Sequence, residues 1–135
     1  MPYKYKFLLF IFFIFVISCD NQSKKINYTK KFINYSNKGF ALIYDENLYK
    51  KKIINKELDE RSLLIFNNVL EKETSVKITN LINGEYLIAK VSKSANFPVF
   101  YNSVLSKRIA DNLSIDKNEP YIEIKTLNQK DSFII

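Results

Sequence analysis

Residues 76–98, VKITNLINGEYLIAKVSKSANFP, decide how this chain is read. Val76, Ile78 and Leu81 alternate with polar neighbours and lead into Asn83-Gly84; Tyr86, Ile88 and Val91 lead out again. Two alternating runs joined by an Asn-Gly turn predict a β-hairpin. Its second strand runs into Ser92-Lys93-Ser94-Ala95-Asn96, a segment without a carboxylate. That segment is either the rim of a site or only the end of a hairpin.

Outward from the hairpin the signals stay those of short strands. Gly39-Phe40-Ala41-Leu42-Ile43-Tyr44 reads as an apolar strand, and Asp45 to Glu60 as a polar, Lys-rich excursion. Ser62 to Leu70 fits a strand or a helix equally by pattern. Ser103 to Leu113 predicts a helix, with Val104, Leu105, Ile109 and Leu113 on one face. Pro120 to Lys125 alternates again and predicts a last strand, with Pro120 at its start. Short strands and one helix within about ninety residues predict a mainly β domain, a compact barrel with a helical crossover. The expected organisation is an export signal at 1–18, a polar tether at 19–38, the barrel at 39–127 and a tail at 128–135. Within the tether, Tyr28, Phe32 and Tyr35 fall at helical spacing, so a short packed helix and a solvated linker both remain open. The tail ends in Phe133-Ile134-Ile135, either an exposed apolar tip or a barrel contact.

The start of the chain has its own chemistry. Lys4 and Lys6 precede an unbroken apolar run from Phe7 to Ile17. A membrane-spanning helix needs ~20 such residues, whereas a basic start and a short apolar core are the layout of a secretory signal. The run ends in Val16-Ile17-Ser18-Cys19, which resembles the bacterial lipobox, whose cysteine is lipidated after cleavage. Cys19 is the only cysteine, so no disulfide forms within the chain. The expected mature protein starts at Cys19 and is held on membrane lipid through it, facing the periplasm or cell envelope. Stable anchoring takes more than one acyl chain, at ~0.8 kcal/mol per buried methylene.

Composition removes several chemistries. The 135 residues contain no histidine, one cysteine and two glycines, Gly39 and Gly84. A Ser-His-Asp triad, a Cys-His pair and an ordinary zinc site all lack parts, and two glycines do not make a phosphate loop. No metal or organic cofactor is expected. The formal charge of +7 includes two lysines of the signal, and the rest is interleaved with Glu and Asp. A nucleic-acid binder gathers its Lys and Arg on one face, so nucleic acid is not an expected partner.

Four further segments carry a family likeness. Gly39 to Tyr44 looks like Gly-x-Ala-Ser-Trp-Tyr, and Asn55-Lys56-Glu57-Leu58-Asp59 is similar to Asn-Gly-Glu-x-x-Asp, one residue shorter. Thr79-Asn80-Leu81-Ile82-Asn83-Gly84 matches Thr-Asn-Leu-x-Asn-Gly. Val104 to Leu113 looks like the helix Asp-Leu-Ser-x-x-Ala-Ala-x-x-Leu. In this order, from Gly39 to Lys125, the chain resembles rare lipoprotein A, a bacterial lipoprotein family linked to peptidoglycan cleavage at the division septum. The resemblance implies a six-stranded double-psi β-barrel with one crossover helix.

It also implies a damaged site. The family's Val-x-Asp-Arg-Gly-Pro strand end, whose Asp is thought to be catalytic, aligns with Val91 to Asn96, so Lys93 stands where the acid would be. A family His aligns with Asn67, and the Asp of the helix motif aligns with Val104. Lytic glycan cleavage needs a group that protonates the departing oxygen and then takes a proton back, a task for a carboxyl group of raised pKa. A lysine, with a reference pKa of ~10.4, is a poor proton donor at neutral pH, and a carboxamide transfers no protons. Glu57 and Asp59 are the remaining acidic candidates; they either serve in the cleft or cap the polar loop. The expectation is a catalytically degenerate envelope lipoprotein that binds peptidoglycan or an envelope protein through the old cleft, with Lys93, Asn67 and Tyr86 as ligand contacts. Tyr86, Phe97, Phe100 and Tyr101 either stack on sugar rings or fill a small core. The alternatives are an active lytic transglycosylase working through Glu57 or Asp59, and a scaffold lipoprotein without glycan contact.

Overall fold

The computed structural model describes residues 34–127. The expected signal, Cys19, all but the end of the tether, and the tail lie outside the described residues. Six strands follow one another as β1 (Ser36–Ile43), β2 (Leu64–Phe66), β3 (Ser75–Asn80), β4 (Tyr86–Lys93), β5 (Tyr101–Leu105) and β6 (Tyr121–Thr126). Two short helices, α1 (Glu46–Lys50) and α2 (Lys107–Asn112), lie in the β1–β2 and β5–β6 connections.

The strands close into a barrel in the order β1-β5-β2-β4-β3-β6. β1 runs parallel to β5 and antiparallel to β6; β4 runs parallel to β2 and antiparallel to β3. Adding three to each strand number therefore turns one set of pairings into the other. The remaining pairs, β2 with β5 and β3 with β6, are antiparallel and map onto themselves. Two interlocked halves related in this way make a double-psi β-barrel, and closure leaves no free sheet edge.

Alternation along the strands fills the interior. Ala41, Ile65, Val76, Ile78, Ala89, Val91, Ile122 and Ile124 point inward and are buried, and Ile109 and Leu113 of the α2 segment close one side of this core. A second buried cluster, Tyr44, Ile54, Leu58, Phe66, Ala95 and Val104, lies under the β1–β2 connection. The Lys-rich excursion is thus anchored by its few apolar residues, with Ile54 fully buried.

Three sequence expectations change in detail. The helix read over 103–113 is strand up to Leu105 and becomes helix only after Ser106, whose Oγ accepts the Ile109 N–H at 3.3 Å. Val104 and Leu105 each lie between two strands, facing Leu42 and Ile43 on one side and Phe66 and Ile65 on the other. Those ladders override the local helical pattern. The β1 strand begins at Ser36, paired with Lys125, so the last residues assigned to the tether belong to the sheet. The excursion holds a second helix, α1, capped by Asp45, whose carboxylate accepts the Asn47 N–H at 2.7 Å.

The hairpin is present, with a longer turn than the Asn-Gly pair alone predicts. Asn80 N–H donates to the Glu85 carbonyl and Gly84 N–H to the Asn80 carbonyl, both at 2.8 Å. Asn83 Oδ1 accepts the Glu85 N–H at 2.9 Å. Gly84 has φ +78° and open space around it, so glycine serves its backbone conformation, not packing. The carboxamides of Asn80 and Asn83 both donate to the Leu113 carbonyl, at 2.9 and 3.1 Å. The most specific motif of the family likeness therefore fastens the hairpin to the end of α2.

Candidate functional site

Three depressions mark the described surface: a shallow charged one of about 460 Å³ among the exposed Glu60, Arg61, Lys107, Arg108, Asp111 and Asn112, and two whose walls hold residues singled out by the sequence. The first of those two is polar and lies where the resemblance aligns the family's cleft. It is lined by Asn55 and Lys56 on one side and by Asn68 and Ser94 to Asn96 on the other, around about 220 Å³.

Its polar groups are tied to one another. Asn68 pairs with the main chain of Ala95 at both ends of its carboxamide, accepting the N–H and donating to the carbonyl at 3.0 Å each. Asn55 Oδ1 accepts the Asn96 N–H at 2.7 Å, and Asn55 N–H donates to the Asn96 carbonyl at 3.2 Å. The Lys56 ammonium donates to the Ser94 carbonyl at 2.7 Å. The 94–96 segment is thus laced to the β1–β2 connection by Asn55 and Lys56 and to the start of the β2–β3 connection by Asn68, mostly through side chains.

The aligned positions behave accordingly. Asn67 is fully buried, its Oδ1 accepting the Val69 and Leu70 N–H groups at 2.9 Å and its Nδ2 donating to the Asn102 carbonyl at 3.3 Å. It shapes the turn after β2. Lys93 ends β4 with an exposed side chain that makes no ion pair among the described residues. Asp59 Oδ1 accepts the Arg61 N–H at 2.9 Å, and its carbonyl accepts from both the backbone and the hydroxyl of Ser62. That is a loop-capping role. Glu57 is exposed. Tyr86 is at the opposite end of β4 from Lys93, about 23 Å away along seven residues of strand, with the Lys77 ammonium 4.1 Å from its ring centre. The structure brings Asn67 and Lys93 together, their backbones joined by an Asn67 N–H to Lys93 carbonyl bond of 3.4 Å, and leaves Tyr86 apart.

One titratable group nearby is perturbed. Burial raises the Tyr44 hydroxyl above its ordinary pKa; a hydrogen bond with the Leu58 backbone works against this, and Glu57, Glu46 and Glu60 add to the rise. Tyr44 stays protonated at neutral pH and serves the second core cluster.

The second depression, of about 420 Å³, is walled by Phe40, Phe100 and Tyr101, with Asn47, Lys117 and Asn118 on its rim. Phe40 faces Tyr101 in the parallel ladder and Tyr121 in the antiparallel one. Phe100 stacks on Phe40 at 5.3 Å and 14°, and Tyr101 meets Phe100 edge-on at 5.2 Å. Of the aromatics singled out by sequence, Phe97 packs on the second core cluster, whereas Phe100 is 70% exposed. Sequence reasoning missed Phe40 as a surface residue because it reads as one more member of an apolar strand. It also missed the asparagine staples, which carry no spacing signal.

Among the described residues no three His, Cys, Asp or Glu side chains converge to hold a metal ion, and no helix is long and apolar enough to cross a membrane.

No family model and no curated protein matches the sequence. Among solved structures the chain is similar to the computationally designed msDPBB_sym2 protein, with 12% identity over 69% of this chain and 100% of that one and a TM-score of 0.48. The strand order and pairing carry the assignment of this chain as a double-psi β-barrel.

Proposed function

We propose that this chain is a membrane-anchored lipoprotein of the bacterial cell envelope, similar to rare lipoprotein A, whose barrel is a binding module without lytic activity. It is retained by lipid on Cys19 and takes peptidoglycan or an envelope protein as partner. The observation that supports a non-catalytic reading most is the state of Asn67 and its surroundings. Where a proton-transferring group would be needed, a buried carboxamide holds two backbone N–H groups instead, and the neighbouring strand end offers an exposed lysine. Asp59 is engaged in its own turn. A carboxyl group kept protonated by a dry environment is the usual requirement of such chemistry, and the exposed Glu57 does not have that environment.

The test is incubation of full-length protein, purified in detergent, with isolated sacculi. Co-sedimentation without release of anhydro-sugar fragments is expected. Release that disappears in Glu57→Gln or Asp59→Asn would make the protein an enzyme. Neither release nor co-sedimentation would leave a scaffold as the function.

A further inference from the structure

We infer that the aromatic groove beside β1 is a saccharide site that seats one face of a pyranose on Phe100 and holds its hydroxyl edge with the carboxamides at the rim. The proposal does not depend on the Asn67–Lys93 region and places the ligand on a different surface.

The fold builds the platform. Phe40 stands outward on β1 with Tyr101 and Tyr121 in register on its two neighbouring strands, and Tyr121 lies 5.4 Å from it. Phe100 lies over this row, and the Tyr101 edge fixes its orientation. A ring that is 70% exposed yet held by two aromatic neighbours loses little freedom when a ligand lands on it. Phe40 and Val99 are exposed beside it, and a contiguous apolar patch of this kind marks a surface that gains from being covered.

The rim supplies the other half. Asn47, Lys117 and Asn118 are exposed, and their side chains have no protein partner among the described residues. Asp45 gives one oxygen to the Asn47 N–H and keeps the other available. An apolar floor with a few convergent polar groups is the general form of a small-ligand site, and about 420 Å³ falls within the usual ~300–1,000 Å³. A pyranose has matching halves, a face of C–H groups for the rings and an edge of hydroxyls for amides and carboxylate. A bilayer would dehydrate those rim groups without pairing them, at a cost of roughly 2–7 kcal/mol each. A folded protein partner would need about 800 Å² of matching surface, more than this groove offers.

The experiment is an NMR titration of isotope-labelled full-length protein in phospholipid nanodiscs with a hexamer of N-acetylglucosamine. Shifts are expected at Phe40, Asn47, Phe100, Tyr101 and Asn118, with at least tenfold weaker binding in Phe100→Ala. Asn118→Ala, which leaves the ring stack intact, should weaken binding about threefold or more. Lys72→Ala, at an exposed position that lines none of the depressions, should leave it unchanged. Shifts at Asn55, Asn68 and Asn96 instead, or no response at millimolar hexamer, would overturn the inference. Broadening of Val99 and Phe100 by a spin-labelled lipid, with no response to the hexamer, would assign the patch to the bilayer and equally overturn it. Sacculus binding separates the two proposals. Equal co-sedimentation of wild type and Phe100→Ala keeps the envelope function and removes this site, whereas a responsive groove without sacculus binding does the reverse.

Discussion

The polar cleft at residues 55–56 and 94–96 and the aromatic groove at Phe40 and Phe100 differ in where their polar groups point. In the cleft, Asn55, Lys56 and Asn68 all face the main chain of the opposite segment. In the groove, the rim carboxamides of Asn47 and Asn118 face solvent. A polar side chain already paired with the main chain across a seam contributes to the fold and is less free to meet a ligand, because releasing it leaves its partner without that bond. The cleft therefore reads as a seam, and the groove as a surface awaiting a partner. Alanine substitutions should cost stability in the first and binding in the second.

The sharpest way to break this contrast is Asn67→Ala. Two N–H groups lose their acceptor, and a loss of about 2–4 kcal/mol is expected. At roughly 4–8 °C per kcal/mol for a domain of this size, thermal unfolding should fall by about 8–30 °C. A small change would mean that water reaches the turn and that the cleft is more open than its hydrogen bonds imply. Asn68→Ala removes the two bonds to Ala95 at a partly exposed position, and about 1–2 kcal/mol is expected in a denaturant titration.

Phe100→Ala removes a stacking partner from an exposed ring. The expected loss is about 0.5–1.5 kcal/mol, with the main consequence in ligand binding. Lys93→Ala should stay within about 0.5 kcal/mol of wild type, as expected for an exposed side chain; a larger effect would mean that the side chain makes a stabilising contact in the fold. The smallest effect concerns alkaline pH. Because the Tyr44 pKa is raised in the folded state, its contribution to stability is complete below the unfolded value of about 10 and is lost as pH rises through the folded value. Tyr44→Phe should flatten that alkaline decline in a series of melts and leave neutral and acidic behaviour alone.

The hairpin was legible because its information is local: alternation and an Asn-Gly pair specify strands and a reversal within a few residues. The helix start was less legible. Val104 and Leu105 fit a helical face and a strand interior alike, and only their partners on β1 and β2 choose between them. The site was least legible of all. Lys93 was recognisable as a break in a motif, but nothing near Asn67 in sequence announces that its amide oxygen closes a buried turn.

By itself the sequence determined a strand-rich domain, a reversal at Gly84, and the absence of histidine and paired-cysteine chemistry, since these follow from composition and from periods of a few residues. The tertiary structure alone decided which asparagines are occupied across the cleft and which aromatics are exposed. The reason is distance along the chain: the bonds that close the cleft join residues 27, 38 and 41 positions apart. The Phe40 ring faces outward only because barrel closure turns the opposite side of β1 toward the core.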